Sequence, residues 1–437
     1  MSAQDDRNAI LSQVREYYKK HIATQKPARI PASGKSFDEN EVANAVEAAL
    51  DCWWTEGRFT DAFVEKFKSF LGIKYVSVMN SGSSANLIAL SALFSTKLGD
   101  RRLKPGDEVI TVASAFPTTV NPILQCGLVP VFCDIDLETH NIDVSMMKKA
   151  LSKKTKAVML AHSLGNPFNI SAISKFCKDN GLWLVADCCD ALGATYQGKT
   201  VASFADVSTF SFYPAHHITM GEGGAVVTDN PLIYKISNSI RDWGRDCWCR
   251  TGKDNTCGRR FSMQFGELPF GYDHKYVYSE LGYNLKATDF QAALGVAQMD
   301  KLPGFISKRR QNHKSLMDGL KKYFRYFIFQ KAEPQSEPSW FGFLITLKDG
   351  CGFKREELTS YLEQNGIGTR LVFSGNIIRQ PYFTQGRFKY RVVGELANTD
   401  KSMKDTFWVG VFPVLSKKET DLICERIRDF LTSKGLS

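Results

Sequence analysis

The sequence lacks any long uninterrupted apolar run, and this absence argues against a membrane-spanning helix. Within the 437 residues, the uncharged stretch 109–133 comes nearest, but three prolines and several polar side chains interrupt it. In lipid, such a mixture would leave backbone groups without hydrogen-bond partners. The stretch 1–7 is polar and acidic, which is unlike a secretory signal. We therefore expect a cytoplasmic protein that does not contact a membrane.

A strong excess of one sign of charge is also missing. Lysine and arginine number 56 against 46 aspartate and glutamate, so the net charge is only +10. The densest basic stretch, 308–314, is more typical of a solvated helix face than of a nucleic-acid contact. The 43% hydrophobic and 23% charged residues are those of an ordinary globular protein and not of a disordered chain. The length predicts about two or three domains, and we expect no nucleic-acid partner.

The eleven cysteines are odd in number, and no export signal accompanies them. This is typical of a chain with reduced thiols, in which clustered cysteines indicate a metal before a disulfide. One residue separates Cys247 from Cys249, and Cys257 follows after seven more. A four-thiolate site needs one more ligand, for which Cys189 is the first candidate and Cys188 its rival. The residues alone leave open whether such a site holds an iron–sulfur cluster or structural zinc.

Strand-like and helix-like segments alternate through the first 230 residues. The strands are nearly continuous runs of Val, Ile, Leu and Ala, which is typical of a parallel sheet covered on both faces. This alternation predicts a doubly wound α/β domain, followed by a loop-rich stretch and a smaller α+β domain. The predicted strands are 75–79, 108–113, 129–134, 157–162, 182–187, 207–212, 224–228, 340–346 and 368–373. The predicted helices are 84–96, 144–151, 170–180, 288–323, 354–365 and 417–433.

Two short stretches follow predicted strands and could bind a ligand. Residues 80–86 are small and open a helix, so their N–H groups could bind a phosphate, or they could form a plain helix cap with a glycine turn. Asp187 closes an apolar strand, where ligand sites form in α/β proteins. It could hold a proton on a heterocyclic nitrogen, or it could cap the helix that begins near Asp190.

The stretch 211–224 carries a more specific signal. It reads Ser-Phe-Tyr-Pro-Ala-His-His-Ile-Thr-Met-Gly-Glu-Gly-Gly. This resembles the pattern Ser-Phe-x-x-x-Lys-x-x-x-x-Gly-Glu-Gly-Gly of the sugar aminotransferases that use pyridoxal phosphate, a branch of the fold-type-I aminotransferases. Other landmarks of that family occur in order at 80–84, 115–116, 187 and 282–295. The resemblance covers about 35–435 and implies a large, mostly parallel α/β domain with a smaller C-terminal α+β domain.

The resemblance implies a role for individual residues in binding the cofactor. Gly82, Ser83 and Ser211 would contact its phosphate. Phe116 would stack on the ring, and Asp187 would pair with the ring nitrogen.

The resemblance also sets expectations for the whole chain. We predict an N-terminal helical arm over 1–60, a large cofactor-binding domain over 61–300 that contains the cysteine loop 243–280, and a small domain over 301–437. Asn284 would reach the phosphate of a neighbouring subunit, which implies a homodimer. For a nucleotide diphosphate sugar substrate, the candidate contacts are Arg58, Arg370 and Arg379.

One departure from the family pattern decides the chemistry, because the family's cofactor-binding lysine falls on His216. Imidazole cannot form the covalent link to the cofactor's aldehyde. The chain would therefore bind pyridoxamine phosphate as a dissociable partner. His216 can still move a proton, so we expect it to remove the C4′ proton of the cofactor, with His217 as the weaker candidate. Asp190 and Tyr213 stand where many family members carry histidine.

The histidine and the cysteine spacing together resemble the dehydrase branch of this family that acts on CDP-4-keto-6-deoxy-D-glucose in 3,6-dideoxyhexose and O-antigen biosynthesis. That branch has a [2Fe–2S] cluster on Cys-x57-Cys-x-Cys-x7-Cys, which fits Cys189, Cys247, Cys249 and Cys257. The resemblance implies reductive C3 dehydration with a separate NADH-dependent flavin and iron–sulfur reductase, because the sequence has no Gly-x-Gly-x-x-Gly loop. The reductase would dock near 244–260. A dehydratase with structural zinc and a non-catalytic binding protein remain as alternatives.

Overall fold

Short, almost entirely buried strands form the centre of the protein, as their continuous apolar sequences predict. The structure, a computed structural model, describes residues 2–23 and 29–436. The helices are α1 (Ala3–His21), α2 (Glu39–Leu50), α3 (Arg58–Leu71), α4 (Gly82–Ser91), α5 (Pro117–Gln125), α6 (Met147–Ala150), α7 (Ile170–Asp179), α8 (Pro231–Arg241), α9 (Asp289–Leu320), α10 (Arg355–Gln364), α11 (Pro381–Thr384), α12 (Ala397–Asp405) and α13 (Lys417–Ser433). The strands are β1 (Tyr75–Met79), β2 (Glu108–Val112), β3 (Val129–Cys133), β4 (Thr155–Ala161), β5 (Trp183–Asp187), β6 (Thr195–Tyr196), β7 (Lys199–Thr200), β8 (Val207–Ser211), β9 (Gly224–Thr228), β10 (Phe327–Phe329), β11 (Ser336–Glu337), β12 (Gly342–Leu347), β13 (Thr369–Leu371), β14 (Arg391–Val392) and β15 (Thr406–Gly410).

The largest sheet in the described part of the chain has the order β1-β9-β8-β5-β4-β2-β3-β14. Neighbours from β8 to β14 are parallel, whereas β9 is antiparallel to both β1 and β8. Successive side chains of a strand point to opposite faces. In β5, Leu184 and Ala186 therefore join one apolar core, while Trp183 and Val185 join another. A mostly parallel sheet buried on both faces confirms the predicted α/β architecture.

A second, antiparallel sheet has the order β10-β12-β15-β13. Its core includes leucines and isoleucines of α10, α13 and the last turns of α9. The 32-residue helix α9 starts with a capping box between Thr288 and Gln291 and packs against α2, α3 and α13. Helix α9 continues across residue 300, the predicted boundary between the two domains. Strand β14, which belongs to the predicted small domain by sequence, pairs with β3 of the large sheet. The division into 1–60, 61–300 and 301–437 stays a prediction.

Buried polar contacts fix where helices begin. The carboxylate of Asp289 accepts hydrogen bonds from the backbone N–H groups of Gly57 (2.9 Å), Phe59 (3.1 Å) and Thr60 (2.8 Å). These are the unpaired donors of the first turn of α3, so one side chain of α9 caps α3 from outside.

In the described ranges, no helix has both the length and the apolar composition needed to cross a bilayer.

One predicted helix, 84–96, is wrong in its last part. Helix α4 ends at Ser91, and two short 3₁₀ turns follow, at Ala92–Phe94 and Thr96–Arg101. Ser95 has extended backbone angles, and its hydroxyl accepts a hydrogen bond from the N–H of Lys97. Serine competes with helical hydrogen bonding in this way, which ends the helix that the apolar pattern alone predicts.

Candidate active site

The predicted cofactor residues lie at one edge of the large sheet, where β5 and β8 end. These strands are parallel neighbours, and they end at Asp187 and Ser211. Helix α4 begins beside them at Gly82. A Cβ atom on Gly82 would lie 2.4 Å from the Cβ of Ser211, so glycine alone permits this close approach. The structure thus brings together three residues that are far apart in sequence, at the edge where parallel sheets form ligand sites.

Asp187 is buried, and its carboxylate is fixed by three donors. Oδ2 accepts hydrogen bonds from the amide of Asn86 (2.8 Å) and the hydroxyl of Thr119 (2.7 Å), and Oδ1 accepts one from the N–H of Cys189 (3.1 Å). The Asn86 oxygen in turn accepts a hydrogen bond from Thr209 (2.5 Å). A carboxylate oxygen can accept more than one hydrogen bond, so Oδ1 can also accept an N–H from a heterocycle. Sequence analysis assigned no role to Asn86 or Thr119, although Asn86 lies in the stretch 80–86.

The start of α4 has the features of an anion site. Ser81 caps the helix by accepting a hydrogen bond from the N–H of Ser84 (3.1 Å), and the hydroxyl of Ser83 contacts Thr118 (3.2 Å). A Cβ on Gly224 would lie 2.3 Å from the carbonyl oxygen of Ser81, so the backbone packs tightly here. The remaining N–H groups of the first turn are available to a phosphate. The predicted cap and the predicted phosphate loop are therefore compatible.

Phe116 is half exposed and precedes the first residue of α5. Its ring packs edge-on against Phe373 at a centroid distance of 6.0 Å. Its carbonyl oxygen accepts a hydrogen bond from the N–H of Thr119 (3.0 Å), the residue that donates to Asp187. Phe116 is thus an exposed aromatic ring one helical turn before Thr119, the residue that contacts Asp187, which is compatible with the predicted stacking on the cofactor ring.

His216 lies in the turn between β8 and β9, with its ring beside an acidic side chain. Its Nδ1 is 3.4 Å from Oδ1 of Asp190, and its ring packs against Phe341 at 5.3 Å. Burial raises the pKa of Asp190, and the contact with His216 opposes that shift. A carboxylate on Nδ1 leaves Nε2 as the ring atom for proton transfer.

His217, the weaker candidate for the base, contacts a different part of the chain. Its Nε2 donates a hydrogen bond to the carbonyl oxygen of Ser339 (2.9 Å), and the side chain is buried. Burial, together with the charge of Arg309, holds the pKa of His217 well below its usual value. An imidazole in this environment stays neutral and serves to connect two chain segments. Tyr213, in the same turn, is about half exposed.

Three of the predicted cluster ligands lie together in the loop 243–280. Cys247, Cys249 and Cys257 line one small cavity together with His274. The Cys249 thiol contacts the hydroxyl of Thr256 (3.0 Å), and the Cys257 thiol contacts Nδ1 of His274 (3.9 Å). Burial and the neighbouring thiols raise the pKa of Cys247. For Cys249, burial acts in the same direction, but the hydrogen bonds of Thr256, Cys247 and Cys257 together outweigh it and lower the pKa.

His274 organises this loop, and sequence reasoning missed it. Its Nε2 bonds to Asp246 (3.0 Å), and its ring stacks on Phe265 (4.7 Å) and meets Trp248 edge-on (5.2 Å). The residue is almost fully buried. No spacing rule connects position 274 to the cysteines, because these contacts form only when the loop folds.

The fourth predicted ligand, Cys189, lies beside Asp187. Burial first, and then the negative charges of Asp187 and Asp190, raise the pKa of Cys189 well above its usual value. Its rival Cys188 is fully buried, and its thiol contacts the carbonyl oxygen of Ala186 (3.8 Å). Within residues 2–23 and 29–436, no three His, Cys, Asp or Glu side chains converge closely enough to hold a metal ion. The four-cysteine site stays a prediction.

The predicted contacts outside the cofactor site lie on the surface. Asn284 is exposed, and its side-chain oxygen accepts a hydrogen bond from Lys286 (3.1 Å). Arg58 is paired with Asp51 (2.7 Å) and Arg379 with Asp400. The remaining predicted contact, Arg370, donates to the carbonyl oxygen of Thr369 (2.7 Å). A diphosphate would have to displace the carboxylates from Arg58 and Arg379, so the three arginine contacts stay predictions.

Comparison with known proteins places these features in a family. Residues 36–428 match the profile of the DegT/DnrJ/EryC1/StrS aminotransferase family. The chain is 52% identical over 425 residues to the lipopolysaccharide biosynthesis protein RfbH of Salmonella typhimurium. The aligned region covers 96% of this chain and 97% of that protein. It is 48% identical over 436 residues to the dTDP-4-dehydro-2,6-dideoxy-D-glucose 3-dehydratase of Saccharopolyspora spinosa. That alignment covers 99% of this chain and 93% of the S. spinosa protein.

A solved structure supports the same assignment. The E. coli GDP-4-keto-6-deoxy-D-mannose-3-dehydratase with bound hydrated pyridoxal phosphate is 32% identical and superposes with a TM-score of 0.82, covering 91% of this chain and 99% of that one. The predicted fold-type-I architecture is thereby confirmed. The chain is an enzyme of the DegT/DnrJ/EryC1/StrS aminotransferase family.

Proposed function

We propose that this enzyme catalyses the pyridoxamine-phosphate-dependent C3 dehydration of CDP-4-keto-6-deoxy-D-glucose, the dehydration step of 3,6-dideoxyhexose and lipopolysaccharide O-antigen biosynthesis. The observation that carries the proposal is His216, which occupies the family's lysine position beside Asp190. An imidazole there can move a proton, but it cannot hold the cofactor covalently. The names of the relatives support this reaction, because the S. spinosa protein is a nucleotide-sugar 3-dehydratase and RfbH serves lipopolysaccharide synthesis.

The residues at the sheet edge fit the cofactor. Pyridoxamine phosphate, when bound, supplies the amino group that joins the sugar ketone and a ring that accepts electrons. Gly82, Ser83 and Ser211 would hold the phosphate at the start of α4. Asp187 would hold the proton on the ring nitrogen, and Phe116 would cover the ring. Asn284 of a second copy would complete the phosphate site in a homodimer.

His216 would take the C4′ proton and would then give it to the C3 hydroxyl of the sugar, which leaves as water. Asp190, 3.4 Å from Nδ1, would fix the orientation of the ring and stabilise its protonated form. Both side chains are largely shielded from solvent, which strengthens the electrostatic contact. The chain's own contribution is therefore one oriented base at a known position in the turn after β8.

We also infer that a [2Fe–2S] cluster on Cys189, Cys247, Cys249 and Cys257 and a separate NADH-dependent flavin and iron–sulfur reductase complete the deoxygenation. The cluster, when bound, supplies single electrons. Support comes from the three thiols that share one cavity. The spacing of all four cysteines in the sequence supports it as well. Cys189 adjoins Asp187, so the fourth ligand would connect the loop to the cofactor site.

A second candidate is a nucleotide-sugar dehydratase or aminotransferase homologue with structural zinc and no electron transfer. His274 favours it, because three cysteines and one histidine are a typical zinc ligand set. Iron, acid-labile sulfide and zinc should be measured in protein purified without oxygen, together with the electron paramagnetic resonance spectrum of the reduced protein. Iron with equal sulfide supports the cluster, whereas stoichiometric zinc without iron contradicts it.

The dehydration itself is tested by proton exchange. The enzyme is incubated in deuterated water with pyridoxamine phosphate and CDP-4-keto-6-deoxy-D-glucose, and deuterium at C4′ is followed by NMR. H216Q should abolish exchange, whereas H217Q should retain it, because a glutamine amide can replace the hydrogen bond of Nε2 to Ser339. Exchange that survives in H216Q contradicts the proposal. The dTDP and GDP sugars serve as substrates that test the nucleotide.

A further inference from the structure

Phe373 has a backbone conformation that bulky residues rarely adopt. Its φ angle is +47°, in the left-handed region that favours glycine. The residue lies in the turn that follows β13. Glycine or asparagine would adopt this φ angle at a lower cost. A strained residue of this kind persists only where its surroundings determine its conformation, and such residues concentrate at functional sites.

The turn that contains Phe373 is held by hydrogen bonds to the segment that carries Phe116. The hydroxyl of Ser374 donates to the carbonyl oxygen of Ala115 (2.6 Å). The N–H of Ile377 donates to the carbonyl oxygen of Ala113 (3.0 Å). Both acceptors lie in the short segment between β2 and α5, of which Phe116 is the last residue. The chain after β13 is therefore fixed directly against the predicted cofactor site.

These contacts bring two aromatic rings together. The ring centroids of Phe373 and Phe116 lie 6.0 Å apart, and the ring planes are nearly perpendicular, at 88°. Aromatic pairs prefer such an edge-to-face arrangement. Phe116 is half exposed, and within residues 2–23 and 29–436 no second aromatic ring packs against it. Phe373 is therefore the aromatic contact that restricts the rotation of the Phe116 ring.

Phe373 is itself supported by the second sheet. It packs against an apolar cluster that includes Leu344 of β12 and Trp408 of β15. The indole N–H of Trp408 donates to the carbonyl oxygen of Leu371, the last residue of β13 (3.1 Å). The ring of Phe373 thus has a packed sheet on one side and the half-exposed ring of Phe116 on the other.

We propose that Phe373 is a positioning residue, which holds the ring of Phe116 in the orientation needed to stack on the cofactor ring. The inference rests on the proposed function, which assigns the stacking to Phe116. A side chain that is fixed before binding loses less rotational freedom when the ligand arrives, so a preorganised ring binds more tightly. The left-handed backbone of Phe373 is the conformation that directs its ring to Phe116.

A double-mutant cycle tests whether Phe373 acts through Phe116. The full-length parent, F116A, F373A and the double variant are each titrated with pyridoxamine phosphate by calorimetry. F373A should weaken the affinity about 2- to 10-fold, the range expected for one aromatic pair, and F116A should weaken it more. The double variant should match F116A, because Phe373 has no effect once the ring that it positions is gone. F373Y keeps the ring and should bind like the parent.

Two substitutions at the same position separate positioning from stability. F373A and F373G both remove the ring, but glycine adopts a φ angle of +47° without the cost that alanine bears. Without cofactor, F373G should therefore have the higher thermal midpoint of the two, while both show the same loss of affinity. F373G also keeps the test decisive if F373A does not fold.

The matched control is V372A, which alters the preceding residue. Val372 is buried in the same apolar cluster, so V372A should lower the thermal midpoint and leave the affinity for pyridoxamine phosphate at the parental value. Inorganic phosphate, which has no ring, serves as the control ligand. It should compete with pyridoxamine phosphate equally well in the parent and in F373A, because it would contact only the start of α4.

Parental affinity in both F373A and F373G would overturn the inference, and so would additive losses in the double variant. Affinities that follow the thermal midpoints of F373A, F373G and V372A, or weaker competition by inorganic phosphate in F373A, would also overturn it. If F116A binds pyridoxamine phosphate like the parent, the stacking assigned to Phe116 is wrong and the inference falls with it. Proton exchange that persists in H216Q overturns the proposed chemistry and leaves the contact between Phe373 and Phe116 with the same role.

Discussion

Asp190 and His216 form a contact in which two departures from the family pattern meet. By the resemblance to the family pattern, Asp190 falls where many members carry histidine, and His216 falls on the cofactor-binding lysine. Here a carboxylate lies 3.4 Å from an imidazole nitrogen. A carboxylate beside an imidazole orients the ring and favours its protonated form, which is the arrangement of a general base. At the scale of single residues, the proposed function has the two changes together replace covalent attachment by proton transfer.

Lysine at position 216 should restore covalent attachment. We expect H216K to bind added pyridoxal phosphate with its own visible absorption band and, after borohydride reduction, a mass increase on residue 216. The reason is that an amine, unlike imidazole, condenses with an aldehyde. H216Q, which has no amine, is the control and should give only the spectrum of free cofactor. The same free spectrum for H216K would show that residue 216 lies away from the cofactor.

Asp187 and Asp190 should differ in what they contribute. D187N should weaken pyridoxamine phosphate binding about 10- to 100-fold, because the ring nitrogen loses a charge-assisted hydrogen bond worth about 1.5–3 kcal/mol. D190N should leave the affinity close to the parental value but slow C4′ exchange, since Asp190 contacts His216. Isothermal titration with pyridoxamine phosphate measures the first effect. Equal losses of affinity in both variants would contradict the assignment of Asp187.

At the scale of helices and strands, local sequence predicted elements that carry a continuous or periodic apolar pattern. Strands β1 and β9 and helix α13 have the predicted bounds, because each is a continuous or periodic apolar segment between clear breaks. The short strand β11 was not predicted, since it is defined by a distant partner, as in the pairing of Glu337 with Thr195. Short pairings of this kind carry no periodic signal.

The same difference between local signals and long-range contacts applies to the residues of the site. Residues in contiguous motifs, such as Gly82, Asp187 and His216, could be named from the sequence. Asn86 and Phe373 could not be given their roles, because their partners Asp187 and Phe116 lie far away in the sequence and meet them only in the folded chain. The sequence carries the chemistry of a site, whereas the helices and strands bring in the residues that orient it.

Helix α4 should depend on glycine at its first position. In G82A the added Cβ would lie 2.4 Å from the Cβ of Ser211, so the helix must shift. We expect a loss of about 1–3 kcal/mol in the free energy of unfolding, typical of overpacking, and weaker binding of pyridoxamine phosphate. Adding S211G should recover the thermal midpoint but not the affinity. The control is G304A, where no atom lies within 4 Å of the new Cβ, and an equal loss there would contradict the steric explanation.

At the scale of the whole molecule, the loop 243–280 exposes an unusual amount of aromatic surface. The large exposed side chains there include Trp243, Trp248, Phe261, Phe270 and Tyr276. Extended apolar surface of this kind marks an interaction site. It lies in the same part of the sequence as Asn284, the residue predicted to reach a second copy. A homodimer would bury part of this aromatic surface, and it would add Asn284 of the second copy to the phosphate site.

Shared active sites can be tested by mixing two inactive variants. H216Q lacks the base, and N284D places a negative charge where the partner's phosphate would bind. If Asn284 acts across the interface, a mixed dimer contains one site with both native residues. Random pairing should then restore about one quarter of the parental activity, since half of the dimers are mixed and half of their sites are intact. Differently tagged chains, co-expressed and purified through both tags, should reach about one half.

The control mixture combines H216Q with D187N. Both residues belong to the same copy's site, so every site in the mixed dimer keeps one defect and no activity should return. Sedimentation equilibrium establishes that each preparation is dimeric. Doubly tagged H216Q–N284D dimers without activity would show that Asn284 serves its own chain, and a monomeric parent would rule out a shared site altogether. Recovery in the first mixture and none in the second is the pattern that only a cross-subunit phosphate contact produces.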